Sequence, residues 1–190
     1  MEREQRIQSQ KETIKELWDA YVKRPGAKEL MEWLEETDFF VAPASARHHS
    51  NYPGGLARHS LNVYERLVMN VVFKYPKLYG TETVVIAALL HDVCKINTYK
   101  LTDTEKGKEY RHKNSFPAGH GEKSVMLIQR YMKLTEEEMI AINWHMGAWD
   151  PRAKTGELNQ VWEEHPLALL LHLADMESTY LDEGGNNEQK

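Results

Sequence analysis

The chain has 190 residues, 41% of them hydrophobic and 28% charged, with a net charge of −5. That composition fits one globular domain with a sizeable core, and it leaves no overall basic face for long nucleic-acid tracks. The single cysteine, Cys94, excludes an internal disulfide and fits a reducing compartment.

The opening MEREQRIQSQKE is too charged for a signal peptide. No apolar run reaches the roughly 18 residues of a membrane span. A cytoplasmic protein with no membrane partner is the expectation. Residues 3–23 put Ile7, Ile14, Leu17, Trp18, Tyr21 and Val22 on one helical stripe, which Pro25-Gly26 ends. Residues 27–37 give a second amphipathic helix around Leu30, Met31 and Leu34. Pro43, Pro53 and Gly54-Gly55 mark a loop over 41–57. Helices are expected over 56–74 and 82–95, and the TVVIAALL of the second is apolar all round, as in a buried helix. Residues 97–114 read as a polar excursion, a hairpin turning at Lys106-Gly107.

Three more helices are expected, over 119–133, 136–147 and 166–181. Thr135 with Glu138 opens the middle one as a capping box, and Pro166 opens the last at a first-turn position. The expected fold is all-α, a single domain over 1–182 of about seven helices with a short hairpin-like insertion near 97–114. Residues 1–40 are its N-terminal helical extension, and 183–190 (EGGNNEQK) a flexible tail.

Six residues stand out in this pattern: His59, His91, Asp92, His120, His145 and Asp175. Histidine and aspartate are ligands of borderline and hard divalent metals, and the set is large enough for two ions. Asp92 and Asp175 sit in otherwise apolar helices, where an ionised carboxylate is expensive without a cationic partner. Bound metal would supply that partner, and Asp92 could bridge two ions with its two oxygens. A lone buried histidine is more often a hydrogen-bonded core residue than a ligand. The ordered set, each member on or beside a different predicted helix except the adjacent His91 and Asp92, is what points to a metal site.

The segments GGLARHSLNV, AALLHDVCK, FPAGHGEKS, NWHMG and LLHLADMEST resemble the successive motifs of the HD-domain superfamily of metal-dependent phosphohydrolases, over residues 46–182. His120 and His145 resemble the additional histidines of its binuclear branch. By that resemblance the fold is an HD-domain helical bundle. One metal would be held by His59, His91, Asp92 and Asp175, and the second by Asp92, His120 and His145. HHSNYPGGLARH is also similar to the entry segment of HD domains in certain 3′–5′ exoribonucleases. The chain departs from the family's common HDIGK in reading HDVCK, which puts Cys94 near the site. The GYP signature and paired histidines of the cyclic-dinucleotide phosphodiesterases are absent.

The reading that follows is a metal-dependent phosphohydrolase or phosphodiesterase. It would use two divalent ions (Fe, Mn, Zn, Ni, Co or Mg) and a metal-activated water on a small phosphorylated substrate, a nucleotide-like ester. Two divalent ions outweigh two carboxylates, and the surplus positive charge suits phosphate. Asp92 and Lys95 are the catalytic candidates, with Lys95 one turn beyond His91 and able to meet a phosphate oxygen or the leaving group. Arg47, His48 and His49 are substrate-binding candidates at the entrance beside His59. An HD-type mixed-valent di-iron oxygenase resembles the same six-ligand pattern and stays open as an alternative, to be separated by metal identity. A nucleic-acid-processing or non-catalytic HD module is the second alternative. Trp144 and Trp149 are read as core packing, and His172 as a satisfied core histidine.

Overall fold

The computed structural model describes residues 1–75, 77–105, 107–113 and 116–184. Among the described residues, eight α-helices and one two-stranded sheet make up the fold. The helices are α1 (Glu2–Tyr21), α2 (Ala27–Glu36), α3 (Gly55–Val68), α4 (Thr81–Leu90), α5 (His120–Ile128), α6 (Glu136–Trp144), α7 (Glu157–Glu164) and α8 (Pro166–Glu177). The strands are β1 (Tyr99–Thr104) and β2 (Gly107–His112), an antiparallel hairpin that pairs Tyr99 with His112 and Thr104 with Gly107. The hairpin turns where the polar excursion was expected to turn; Lys106 itself lies outside the described residues. No described helix is long and apolar enough to cross a membrane.

Helix α4 is the axis of the bundle. Every residue from Val84 to Leu90 is buried, as its unbroken apolar run requires. Helices α1, α3 and α6 pack on it, and α8 packs on α3 and α6. Ile14, Trp18, Leu30 and Leu34 bring α1 and α2 into the same core. One buried carboxylate secures that packing. Glu138, fully buried, closes the expected capping box with Thr135 and accepts two hydrogen bonds from Arg24, at 2.6 and 2.9 Å. Arg24 also reaches Glu82 at the start of α4, so one guanidinium joins the α1–α2 turn to α4 and α6.

Several boundaries depart from the sequence reading: the helices expected over 119–133 and 136–147 already end at Ile128 and Trp144. The helix expected over 56–74 turns α-helical to π-helical at Met69, and the last helix does the same at Ser178. The helix expected to run to Lys95 stops at Leu90, and Val93–Lys95 form a single 3-10 turn. Helix α7 is an eighth helix absent from the expectation. Its ELNQVWEE sets Leu158, Val161 and Trp162 against the core, a stripe only two turns long of which Leu158 alone is buried. The assigned tail also begins too early, because Glu183 is buried; residues 185–190 lie outside the described residues.

Candidate metal centre

The six residues singled out by type converge at one end of the bundle. His59 comes from the second turn of α3, and His91 and Asp92 from the tight turn that follows α4. His120 is the first residue of α5, His145 follows the last turn of α6, and Asp175 lies in the third turn of α8. His59, His91, Asp92, His145 and Asp175 are buried, and His120 alone is exposed, toward a cleft.

Ending α4 at Leu90 is what lets His91 and Asp92 serve the same point. The 3-10 turn swings Asp92 back under the helix end, and α5 clamps it there. Ser124 donates its hydroxyl to the His91 carbonyl at 2.6 Å and accepts the Cys94 N–H at 3.1 Å. Lys123 bonds the Cys94 carbonyl from the same helix. Close packing of α5 on α6 depends on Gly121, where a Cβ would stand 2.1 Å from the Asn143 carbonyl oxygen. The turn after His145 depends on Gly147 in the left-handed region (φ +52°), pressed against the His172 ring. His172 hydrogen-bonds the His145 carbonyl oxygen through Nδ1 at 2.8 Å, so it fixes the backbone of that turn.

Ring orientation is fixed from behind. His91 donates Nδ1–H to the Ala88 carbonyl at 2.8 Å, and His145 donates Nδ1–H to the Ile142 carbonyl at 2.7 Å. Those bonds leave each Nε2 lone pair facing the centre. The Nε2 atoms of His59 and His91 stand 3.3 Å apart. His59 Nε2 is 3.2 Å from Asp175 Oδ1 and 3.5 Å from Asp92 Oδ2, and His91 Nε2 is 3.5 Å from that same oxygen. Ligands held about 2.0–2.2 Å from a zinc-like ion stand roughly 3–3.5 Å from one another. The spacing of these donors is that of a coordination shell.

A second group faces the other oxygen of Asp92. His145 Nε2 lies 3.6 Å from Asp92 Oδ1, is buried, and has no hydrogen-bond partner. A buried nitrogen without a partner carries a desolvation cost that a cation would offset. Donor atoms of Asp92, Cys94 and His120 lie within 4.8 Å of one another, a group separate from that of His91, Asp92 and His145, so His120 shares Asp92 with His145 without joining its cluster. The Cys94 thiol, 3.8 Å from Asp92 Oδ1, is pushed up to about 12 by burial and then by the Asp92 charge, so it stays protonated. Although one edge of His120 opens on the cleft, partial burial of its ring lowers its pKa to about 4, partly opposed by Asp92 and assisted by Lys95. The donor set of imidazoles and carboxylates fits a divalent metal.

Glu183 is the residue sequence reasoning missed. The π-helical turn Ser178–Asp182 folds the chain back over α3, where Arg66 Nε donates to Asp182 at 2.9 Å. Glu183 Oε1 then meets His59 Nδ1 at 2.9 Å, Asn62 Nδ2 at 2.9 Å and the Ser178 hydroxyl at 2.7 Å; its Oε2 accepts the Ser50 hydroxyl at 2.6 Å. Burial works against a charge on Glu183, yet His59 and the two hydroxyls hold its pKa down to about 2. Burial likewise opposes charge on His59, but Asp175 and Glu183 raise its pKa to about 10. Asn62, one helical turn beyond His59, is the only sequence hint of this arrangement, a polar residue on a buried helix face.

Lys95 is not a surface lysine. It is buried, with Nζ 2.5 Å from Asp92 Oδ2. Burial disfavours its charge, but the adjoining Asp92 carboxylate outweighs it and holds the pKa above the ordinary lysine range. Its position follows from the 3-10 turn, where a shared helix face with His91 was expected. Two cavities open at this point, and Lys95, His48 and His120 line both. One, of about 640 Å³, runs past His49, Asp92 and Asp175 to Met146, Trp149, Met176 and Tyr180. The other, of about 480 Å³, runs between the 44–48 loop and the hairpin and takes in Arg47. Trp149 is therefore a cleft wall, 64% exposed, which corrects its reading as core; Trp144 is buried, with Arg152 stacked on its ring at 4.3 Å. His49 packs on the His59 ring, with centroids 4.9 Å apart.

An all-helical bundle that gathers histidines and aspartates from five of its helices and the turns that follow them defines a metal-binding helical domain. The family model for the HD domain matches residues 56–179, and the chain belongs to that family. All six residues fall within the match, with Asp175 near its end. No curated protein and no solved structure matches the chain. Membership carries metal-dependent, hydrolase-type chemistry as the class of activity.

Proposed function

We propose that this protein is a phosphohydrolase or phosphodiesterase with a binuclear metal centre, acting on a small nucleotide-like phosphate ester. The observation that carries the reading is the two-sided environment of Asp92, with His59 and His91 about Oδ2 and the unpartnered His145 about Oδ1. One ion is assigned to His59, His91, Asp92 and Asp175, and the other to Asp92, His120 and His145. When bound, such ions acidify a coordinated water and neutralise charge on a phosphoryl group. The protein's own part is to hold the ligands correctly turned. Ala88 and Ile142 set the tautomers of His91 and His145, and Glu183 sets that of His59.

Lys95 supplies a fixed cation at the mouth of both cavities. Its raised pKa makes it a charge for phosphate oxygens and a poor proton donor. Met146, Trp149, Met176 and Tyr180 offer an apolar, aromatic wall of the kind a nucleobase stacks on. His48 and His49 line the same cleft, on the side of the 41–57 loop.

The reading is tested by elemental analysis of protein purified with and without oxygen, followed by a screen of nucleotides and phosphodiesters. Near-stoichiometric divalent metal and metal-dependent release of phosphate or alcohol are expected, with both lost in His91→Ala and Asp92→Ala. A metal-replete protein that hydrolyses no phosphate ester overturns the reading. Dioxygen consumption by an iron-loaded form would move the assignment to an oxygenase.

A further inference from the structure

The cavity under the hairpin has a composition unlike the rest of the chain. Acidic residues outnumber basic ones in the whole sequence, 29 to 24. Yet the walls of this cavity carry Arg47, Lys95 and Arg111, together with three histidines, and no carboxylate. Among the described residues no ion pair engages Arg47. Arg111 has one, to Glu109 at 3.9 Å between exposed side chains, a contact too long and too wet to neutralise it. Both arginines also line a neighbouring opening, shared with Asp103, Glu105 and Glu109. Among the described residues neither guanidinium has a close ion pair, and the lining of the cavity they share with Lys95 holds no carboxylate.

Three separate parts of the chain build this wall. Arg47 comes from the loop ahead of α3, Lys95 from the turn after α4, and Arg111 from β2. The hairpin stands on Tyr99, which is buried and packs against the His112 ring at 4.9 Å. Because His48, Lys95 and His120 line both cavities, a ligand group in the basic cavity is contiguous with one at the metal centre.

We propose that this cavity binds a second phosphate of the substrate, adjoining the one that reacts, through Arg47 and Arg111. Arginine's planar fork matches phosphate oxygens, and two forks without a close ion pair, lining one cavity with Lys95, suit a group of high negative charge. The substrate class is then a nucleotide with at least two phosphates, its base in the apolar cavity and its distal phosphate under the hairpin. The inference rests on the phosphohydrolase reading for the identity of the first phosphate. The second could be joined through a pyrophosphate bridge or through the next phosphodiester of a dinucleotide; the contacts required of Arg47 and Arg111 are the same.

Binding to Mn(II)-loaded protein decides the matter, measured by calorimetry with three non-hydrolysable probes. These are the phosphonate analogue of adenosine 5′-monophosphate, α,β-methylene adenosine diphosphate, and a phosphorothioate-linked 5′-phosphorylated adenosine dinucleotide. The wild type should bind one of the two-phosphate probes about tenfold or more tighter than the one-phosphate probe, the scale expected of charge-assisted hydrogen bonds. In Arg47→Ala/Arg111→Ala, exposed positions whose loss leaves the core intact, that preference should collapse to near parity. The probe that shows the preference names the linkage. A wild type with no preference, or a preference that survives in the double variant, overturns the proposal. Hydrolysis of bis(4-nitrophenyl) phosphate by the wild type is followed separately. Its absence counts against the hydrolase reading, while the binding ratio still decides the second-phosphate site.

Discussion

Replacing Glu183 separates a carboxylate that sets metal affinity from one that merely fastens the chain's end. Glu183 accepts four hydrogen bonds, from His59, Asn62, Ser178 and Ser50, at 2.6 to 2.9 Å. A carboxylate behind a ligating histidine fixes its tautomer and raises its basicity, and losing one typically costs about 10–100-fold in metal affinity. Glu183→Gln keeps an acceptor for His59 Nδ1–H and removes the charge, so about a tenfold loss is expected. Glu183→Ala removes the acceptor as well, and about a hundredfold loss is expected, near 2.7 kcal/mol. Alanine also strands the buried Asn62 amide, at about 1–3 kcal/mol, and leaves His59 Nδ1 only the Ser178 hydroxyl at 3.4 Å. The metal-free Tm should therefore fall for alanine much more than for glutamine. Competition against a chromophoric chelator measures affinity, and thermal unfolding with excess chelator measures stability. If both variants hold metal within about twofold of wild type while the alanine Tm falls, Glu183 is a structural fastener and its assigned role behind His59 is wrong.

Other consequences can be measured with the same preparations. Lys95→Ala should keep its metal and lose about a hundredfold in turnover, the scale of one removed transition-state donor; release of metal would mean that Lys95 holds Asp92 in place instead. Gly121→Ala forces a methyl group to within 2.1 Å of the Asn143 carbonyl, so α5 must move off α6; a Tm unchanged from wild type would contradict that packing. In chelated protein, stability should rise from pH 4 to about 6.5, because His49, held to about 4 by burial and then by the neighbouring His59 charge, is neutral in the fold while the unfolded histidine takes a proton. Above about 6.5 it should fall toward pH 10, because folded His59 keeps its proton to about 10 and the unfolded histidine does not; a denaturation midpoint flat across that range refutes the charged His59–Glu183 pair.

The fold was legible wherever burial leaves a periodic mark. Helix α4 announced itself through TVVIAALL, and α6 through the Thr135–Glu138 box, both of which act locally. Helix α7 was missed because its stripe, Leu158, Val161 and Trp162, spans only two turns and is mostly half-exposed. The end of α4 was silent for a different reason. Residues 91–95 keep helical spacing and apolar content, and what stops the helix is tertiary: Ser124 and Lys123 of α5 capture the carbonyls of His91 and Cys94. No pattern within the segment encodes a partner some 30 residues away in sequence.

The same division governs the site. Ligand-type residues could be found from sequence because an aspartate in an apolar helix, or a histidine on a buried face, is a local anomaly whose cost needs a remedy. What turns those residues toward one point is carried by groups that are unremarkable in sequence: main-chain carbonyls of Ala88 and Ile142, a serine in α5, and a glutamate in a polar tail. Glu183 illustrates the limit most clearly, since EGGNNEQK has every compositional sign of a frayed end. It is buried because the π-helical turn shortens the path back to α3, and because His59, Asn62, Ser50 and Ser178 together satisfy both of its oxygens. The arginines of the hairpin cavity follow the same logic. Each is an ordinary surface residue in its own segment, and the charge they share exists only where the loop, the turn and the strand meet.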